Sequence, residues 1–206
     1  MRFNLCMLQS LKNSRIYVKR ALMKTFIYPE MMTHFAMCTH KNPRSVMIIS
    51  NQSDLIKVEM GRYREVDTEY LDANNLLTAL RDRADKESDV LLLDTLSDDS
   101  AVFAHVNRIL KDDALMVLKH PDLDDVSANT KLMQILGNYF KIIMPYHLED
   151  GSTLLLCSKE YHPTADLILQ RSDLLEGHHY YNCDIHIAAF AMPQYIRKNY
   201  LGIIRN

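Results

Sequence analysis

The chain has 206 residues, 48% of them hydrophobic and 24% charged, with a formal net charge of −2. That balance supports one sizeable globular domain and excludes disorder as the default state. With no long Lys/Arg run and no apolar stretch near the ~18–20 residues that span a bilayer, neither a nucleic acid nor a membrane is expected as partner.

Residues 1–20 mix basic and apolar side chains without a continuous apolar run or a small-residue cleavage site, so no signal peptide is expected. Arg15-Ile16-Tyr17-Val18 can form a short strand. Phe26 to Thr39 reads as a helix, because Phe26, Ile27, Met31, Phe35 and Cys38 fall near 3.6-residue spacing and Pro29 fits its first turn. Ser45 to Ile49 is a strand, apolar throughout as buried parallel strands are. Lys57 to Met60 fits either a strand or the end of a short helix, Tyr63 to Tyr70 a strand, and Asn74 to Arg83 a helix. Asp89 to Leu93 is a second buried strand running into Asp94, followed by a helix over Ala101–Leu110 and a third strand over Leu115–Leu118. A helix over Ser127–Gly137 stops at its glycine, and strands Phe140–Met144 and Thr153–Cys157 join through the turn Glu149-Asp150-Gly151.

Alternating strands and helices that close on a hairpin predict an α/β fold with a mainly parallel sheet and a C-terminal antiparallel hairpin. Such sheets bind ligands at the carboxyl ends of their strands, which here are Ser50–Asp54, Asp94–Asp99 and Lys119–Asp122. Cys6, Cys38, Cys157 and Cys183 are widely spaced with no C-x-x-C pair, so no zinc site and no disulfide framework are expected. Reduced thiols and a cytoplasmic location are the plain reading. His178-His179 is too short for a metal tract, and His186 reads as a structural hydrogen-bonder. On its own, Asp94 reads more readily as the N-cap of the next helix than as a site residue.

Three segments in order carry a resemblance. Phe26-Ile27-Tyr28-Pro29-Glu30-Met31-Met32-Thr33-His34, running through Asn42-Pro43 into Val46–Ile49, is similar to the F-I-Y-H-E-M-L-x-H…N-P-x-x-V-L-I-I segment of the spermidine synthase (polyamine aminopropyltransferase) family. Asp89 to Asp98 resembles that family's D-V-I-I-x-D-S-S-D-P gatekeeper segment. Tyr180-Tyr181-Asn182, with His186, Ala188-Ala189-Phe190 and Pro193, resembles its C-terminal Y-Y-N-x-x-x-H-x-A-A-F-x-L-P pattern.

The resemblance implies a Rossmann-like, S-adenosylmethionine-dependent transferase fold over residues 26–206, with residues 1–25 a remnant of the family's N-terminal β region. It implies aminopropyl transfer from decarboxylated S-adenosylmethionine, a co-substrate rather than a tightly bound cofactor, to putrescine, in a homodimer. The alternative is a non-catalytic relative that keeps the fold as an interaction or regulatory subunit. Carried over, Asp94 is the candidate catalytic base, and Tyr28, Glu30, Asp98 and Tyr181 are candidate substrate contacts. Asp98 stands one position later than the family's second aspartate.

The cofactor half departs from the pattern. The family's G-G-G-D-G-G loop aligns with Ser50-Asn51-Gln52-Ser53-Asp54, where no glycine allows close backbone approach. Asp54 is the candidate loop acid, Glu59 or Glu65 the ribose acid, and Asp72 the acid of the adenine-contacting D-x-x-x-L segment. Between Ser50 and Asp72 there is too little chain for the family's helix, strand and second helix, so one layer is expected to be missing or miniaturised.

Overall fold

A computed structural model describes residues 24–206. The expected short strand over Arg15–Val18 and the proposed remnant over residues 1–25 lie almost wholly outside it. The described chain runs α1 (Ile27–Thr39), β1 (Ser45–Ile49), α2 (Asp54–Met60), β2 (Asp67–Leu71), a 3-10 turn (Ala73–Asn75), α3 (Leu76–Arg81), β3 (Ser88–Leu93) and α4 (Ser100–Ile109). It continues through β4 (Leu110–Lys119), α5 (Val126–Leu136), β5 (Ile142–His147), β6 (Thr153–Ser158), α6 (Leu169–Leu174), α7 (Cys183–Ala188) and α8 (Gln194–Asn199).

The six strands form one sheet in the order β2-β1-β3-β4-β6-β5. The first four are parallel, and the β5–β6 hairpin adds to β4 antiparallel, as expected. The strand alternation divides the core in two. Val46, Ile48, Val90, Leu92, Leu115 and Val117 face a cluster built with α1 and α2. Met47, Ile49, Leu91, Leu93, Met116 and Leu118 face the other, built with α3, α4 and α5. The three central strands are therefore apolar on both faces, which is why they read as unbroken apolar runs. Both edges are blunted: β2 carries Asp67 and Glu69, and β5 exchanges two backbone hydrogen bonds with Arg205 at Ile143.

Two expectations shift. The strand expected from Tyr63 begins only at Asp67, while Lys57–Met60, which fitted either element, is the end of helix α2. Gly61 ends the helix, and Tyr63 turns back so that its hydroxyl meets His34 Nδ1 at 2.7 Å. Pairing with β1 starts where the Asp67 amide donates to Arg44 O. The helix read over Asn74–Arg83 opens as a 3-10 turn capped by Asp72 and is helical proper only from Leu76. Between Ser50 and Asp72 the chain makes one helix, α2, and one strand, β2, without the second helix that the resemblance implies, so this half is shortened.

Helix α1 is buried along its whole length except at Tyr28, lying between the sheet and the segment that follows β6. At its centre Phe35 is stacked between Tyr146, at 4.1 Å and 6° between planes, and His186, at 4.2 Å and 7°. Removing that ring opens a cavity no neighbour can refill without tilting both partners. Phe35→Ala should destabilise the fold by about 3–5 kcal/mol. Urea denaturation measures it, and a loss under about 1 kcal/mol would show that the stack contributes little.

Candidate functional site

The direction of crossover changes between β1 and β3: from β1 the chain moves outward to β2, then returns past β1 to β3. A crevice opens where strand order reverses in this way, at the carboxyl ends of the strands. Ser50 follows β1, Asp72 follows β2, Asp94 follows β3, and Lys119 ends β4, so all four stand at that edge.

Asp94 is the centre of the cluster. Its side chain is only 7% exposed, and three groups converge on it. Tyr28 donates its hydroxyl to Oδ1 at 2.6 Å, and Ser50 donates its hydroxyl to Oδ2 at 2.6 Å. Lys119 Nζ stands 2.7 Å from Oδ1 and also lies over the Tyr28 ring, 5.1 Å from its centroid. Burial, then the hydrogen bond and charge of Asp94, pushes the Tyr28 hydroxyl far above its ordinary range, so it stays protonated and donates. The N-cap reading of Asp94 falls away, because Asp99 caps α4 by accepting from the Ala101 amide at 2.8 Å.

Asp72 and the loop after β1 border an open surface cavity of about 310 Å³ lined by Ser50, Asn51, Ser53, Tyr70, Leu71, Asp72 and Asn74. Asn51 crosses it: its Oδ1 accepts from the Ala73 amide at 3.1 Å, and its Nδ2 donates to Asn74 Oδ1 at 3.2 Å. A second cavity of about 490 Å³ lies beyond Asp94, between the loop Leu96-Ser97-Asp98 and the start of α5.

The structure redistributes several candidate residues. Glu65 precedes β2 at the amino end of the sheet, where Arg44 pairs with it at 2.8 Å, so it stands away from the crevice. Glu59 lies inside α2 and faces α1, accepting from Arg62 Nε at 2.7 Å and meeting His34 Nε2 at 3.0 Å. Burial raises its carboxyl pKa, but the His34 and Arg62 contacts outweigh that and hold it at about 2. Neither glutamate ends a strand at the site; Asp72 does. Asp54 opens α2 fully exposed, its carboxylate paired with Lys57 rather than turned to the loop.

Glu30 is completely buried, and its two oxygens accept three backbone amides, from His179, Tyr180 and Tyr181, at 2.8–2.9 Å. Its carboxylate has no face left for a substrate, so the role expected for it is corrected to anchoring that loop. Tyr181 points into the core, with its hydroxyl 2.8 Å from His186 Nδ1. It supports the site from behind instead of lining it. Asp98 lies in the mouth of the larger cavity, exposed and paired with Lys131 at 2.8 Å, which lowers its pKa. Of the proposed contacts, Tyr28 and Asp94 come together.

Lys119 opens one of the three strand-end segments expected to bind ligand, but the sequence assigns it no role; the structure sets it on Asp94. Helix α7 was likewise unread, though Asn182 announces it by accepting from the Ile185 amide at 2.8 Å.

His34, Glu59 and His178 bring potential metal-ligand atoms within 4.8 Å of one another. Arg62 sits on the same Glu59 oxygen that meets His34, and Tyr63 holds the other His34 nitrogen, so the group is closed as a hydrogen-bond network. His178 packs edge-on against His34 with both ring nitrogens buried and unpartnered.

Burial holds the pKa of His186 at about 4, between Tyr181 and the carbonyl of Pro163, and that of His178 at about 4, with His34 adding to it. The fold thus keeps both rings neutral, whereas the unfolded chain protonates them near pH 6.5. The unfolded state binds more protons between these values, so stability should be full above about pH 6.5 and fall as pH drops toward about 4. Glu59 has the same sign in a lower window, its contribution fading as pH falls from its ordinary value toward about 2. Urea midpoints measured across this range check the sign; a flat profile would mean the rings are not held neutral.

No family model matches the sequence. The polyamine aminopropyltransferase of Helicobacter acinonychis (strain Sheeba) is 28% identical over 207 aligned residues, covering 86% of this chain and 78% of that one. The protein of the same name from Helicobacter pylori (strain G27) is 26% identical, covering 91% and 82%. Among solved structures, a spermidine synthase in complex with the transition state analogue AdoDATO matches with a TM-score of 0.76 at 21% identity, over 87% of this chain and 75% of that one. Spermidine synthase from Thermotoga maritima matches with a TM-score of 0.71 at 21% identity, over 87% and 76%. These structures share the fold, a six-stranded version of which closes here around Asp94. In sequence the chain is similar to the polyamine aminopropyltransferases, and in fold to the spermidine synthases, as a divergent relative.

Proposed function

We propose that the protein is a cytoplasmic aminopropyltransferase that moves the aminopropyl group of decarboxylated S-adenosylmethionine onto putrescine. The observation that carries this reading is Asp94: a buried carboxylate at the strand-order reversal, flanked by the ring of Tyr28. The reaction needs that pair. A neutral amine attacks the carbon beside the sulfonium, a C–N bond forms, the C–S bond breaks, and methylthioadenosine leaves with the electron pair. The proton released from nitrogen needs a base within hydrogen-bond reach, and the amine arrives as a cation that a carboxylate and an aromatic face attract. Tyr28 and Ser50 donate to the two oxygens of Asp94 and so fix its orientation at the crevice.

The nucleoside half of the co-substrate belongs on the other side of Ser50, in the open cavity that Asp72 borders. The resemblance implies a ribose acid at the end of a strand after the loop, and Asp72 follows β2, the strand next to β1, which supports that role for it. We assign Asp72 that role in place of Glu59 or Glu65. Its exposed carboxylate spends Oδ1 on the Asn74 amide at 2.8 Å and keeps Oδ2 for a diol. Binding here relies on side chains, Asn51 and Asp72, where glycine-rich relatives use backbone.

Asp94→Asn keeps the shape and removes the charge. It should cut spermidine formation from decarboxylated S-adenosylmethionine and putrescine by at least ~100-fold while leaving methylthioadenosine binding intact. Asp72→Asn should do the reverse, weakening methylthioadenosine by about 10-fold in calorimetry, the worth of one charge-assisted hydrogen bond. Equal turnover of wild type and Asp94→Asn would remove Asp94 as base. A wild type that neither turns over nor binds methylthioadenosine would favour the non-catalytic relative.

The homodimer implied by the resemblance forms part of this reading. Sedimentation velocity at micromolar concentration should show a dimer, and a concentration-independent monomer would overturn that part.

A further inference from the structure

The features that would recognise the acceptor's ammonium are already in contact with an ammonium. Lys119 Nζ makes its 2.7 Å ion pair with Asp94 Oδ1 and lies 5.1 Å from the centroid of the Tyr28 ring. An alkylammonium against a carboxylate and over an aromatic face is the pose a diamine end group would take at the same two residues. The contact is built into the fold: β4 ends at Lys119, in register with β3, whose next residue is Asp94. Lys119 is nevertheless 41% exposed, whereas Asp94 is 7% exposed, so the lysine reaches a buried partner from the solvent side. Its flexible stem can withdraw without disturbing the strand that carries it.

Building on the aminopropyltransferase reading, we infer that Lys119 occupies the acceptor-amine subsite as a tethered cation and sets its selectivity. A free amine gains Asp94 only by displacing it. A cation on a short flexible tether competes at an effective concentration on the order of millimolar or above. Acceptors present below that level, or with a single charge to offer, are therefore disfavoured. A diamine with a second ammonium to place elsewhere is the class best able to win. Asp98, four residues after Asp94 and exposed in the cavity of about 490 Å³, is an acid that can take such a second charge on releasing Lys131.

The test compares the wild type with Lys119→Gln, which keeps a donor for Asp94, and with Lys119→Met, which keeps the stem alone. Thermal melts establish that each variant is folded. Calorimetry then measures putrescine, n-propylamine and methylthioadenosine. Loss of the tethered competitor should tighten putrescine by at least ~10-fold, and n-propylamine by as much or more, in both variants. The gain should vanish in the Lys119→Gln/Asp94→Asn double variant, because the subsite then lacks its carboxylate. Methylthioadenosine should bind all of them alike. Unchanged or weaker putrescine binding in a folded Lys119→Gln protein that binds methylthioadenosine would overturn the inference and leave the aminopropyltransferase reading standing. Tighter amine binding in a protein that never binds methylthioadenosine would keep the tethered-cation subsite and overturn the reading on which its substrate class rests. Failure on both counts removes both.

Discussion

A carboxylate taken out of water must be neutralised or hydrogen-bonded, and the architecture of this molecule around its crevice answers that demand at Asp94. Three separate elements each send one group to it: α1 sends Tyr28, the end of β1 sends Ser50, and the end of β4 sends Lys119. None is near Asp94 in sequence. They meet because parallel strands bring their carboxyl ends to one edge and because α1 lies across that face of the sheet. The charge is thus shared by the fold, and removing any one partner leaves the others holding a less well balanced buried anion.

A second buried carboxylate plays the structural counterpart. Glu30 lies two residues along α1 from Tyr28 and gathers three consecutive backbone amides of the loop before α7. Charge-assisted hydrogen bonds to backbone are strong and directional. This one fixes where Tyr181 enters the core, and Tyr181 in turn orients His186 beneath Phe35. The α1 helix therefore carries one residue for the site and one for the wall behind it, with Phe35 joining the two. That accounts for residues from the first and third sequence motifs lying in contact although about 150 positions separate them.

The legible parts of the fold were those whose periodicity is enforced by burial. Ser45–Ile49 and Leu115–Leu118 could be read because both of their faces are covered, which leaves no polar position to interrupt the run. Tyr63 reads as strand because an aromatic between charged residues carries the same local signal whether it packs on a sheet or, as here, on a helix. In the site, Asp94 was legible from its place at a strand end. Glu30 and Tyr181 were placed by resemblance, but resemblance does not say which way a side chain faces, and both face inward. The part played by Lys119 was illegible for a related reason: a lysine ending an apolar strand is usually solvated, and only the register of β4 against β3 shows that this one meets Asp94.

The shortened nucleoside half explains a further substitution of means. With one strand between β1 and β3 in the chain, the acid after β2 is the one proposed to serve the nucleoside cavity. Without glycines in the loop after β1, the backbone cannot close on a ligand, and Asn51 bridges the gap to Ala73 and Asn74. A side chain can let go of such a bridge where a backbone turn cannot. On the amine side Lys119 has the same character, a side chain standing in a subsite that a ligand would have to open. Both halves of the crevice are thus held by the chain's own polar groups in poses a substrate could take over. A site of this kind is stable without its ligands and gives up internal contacts to admit them, which trades affinity for discrimination between cations.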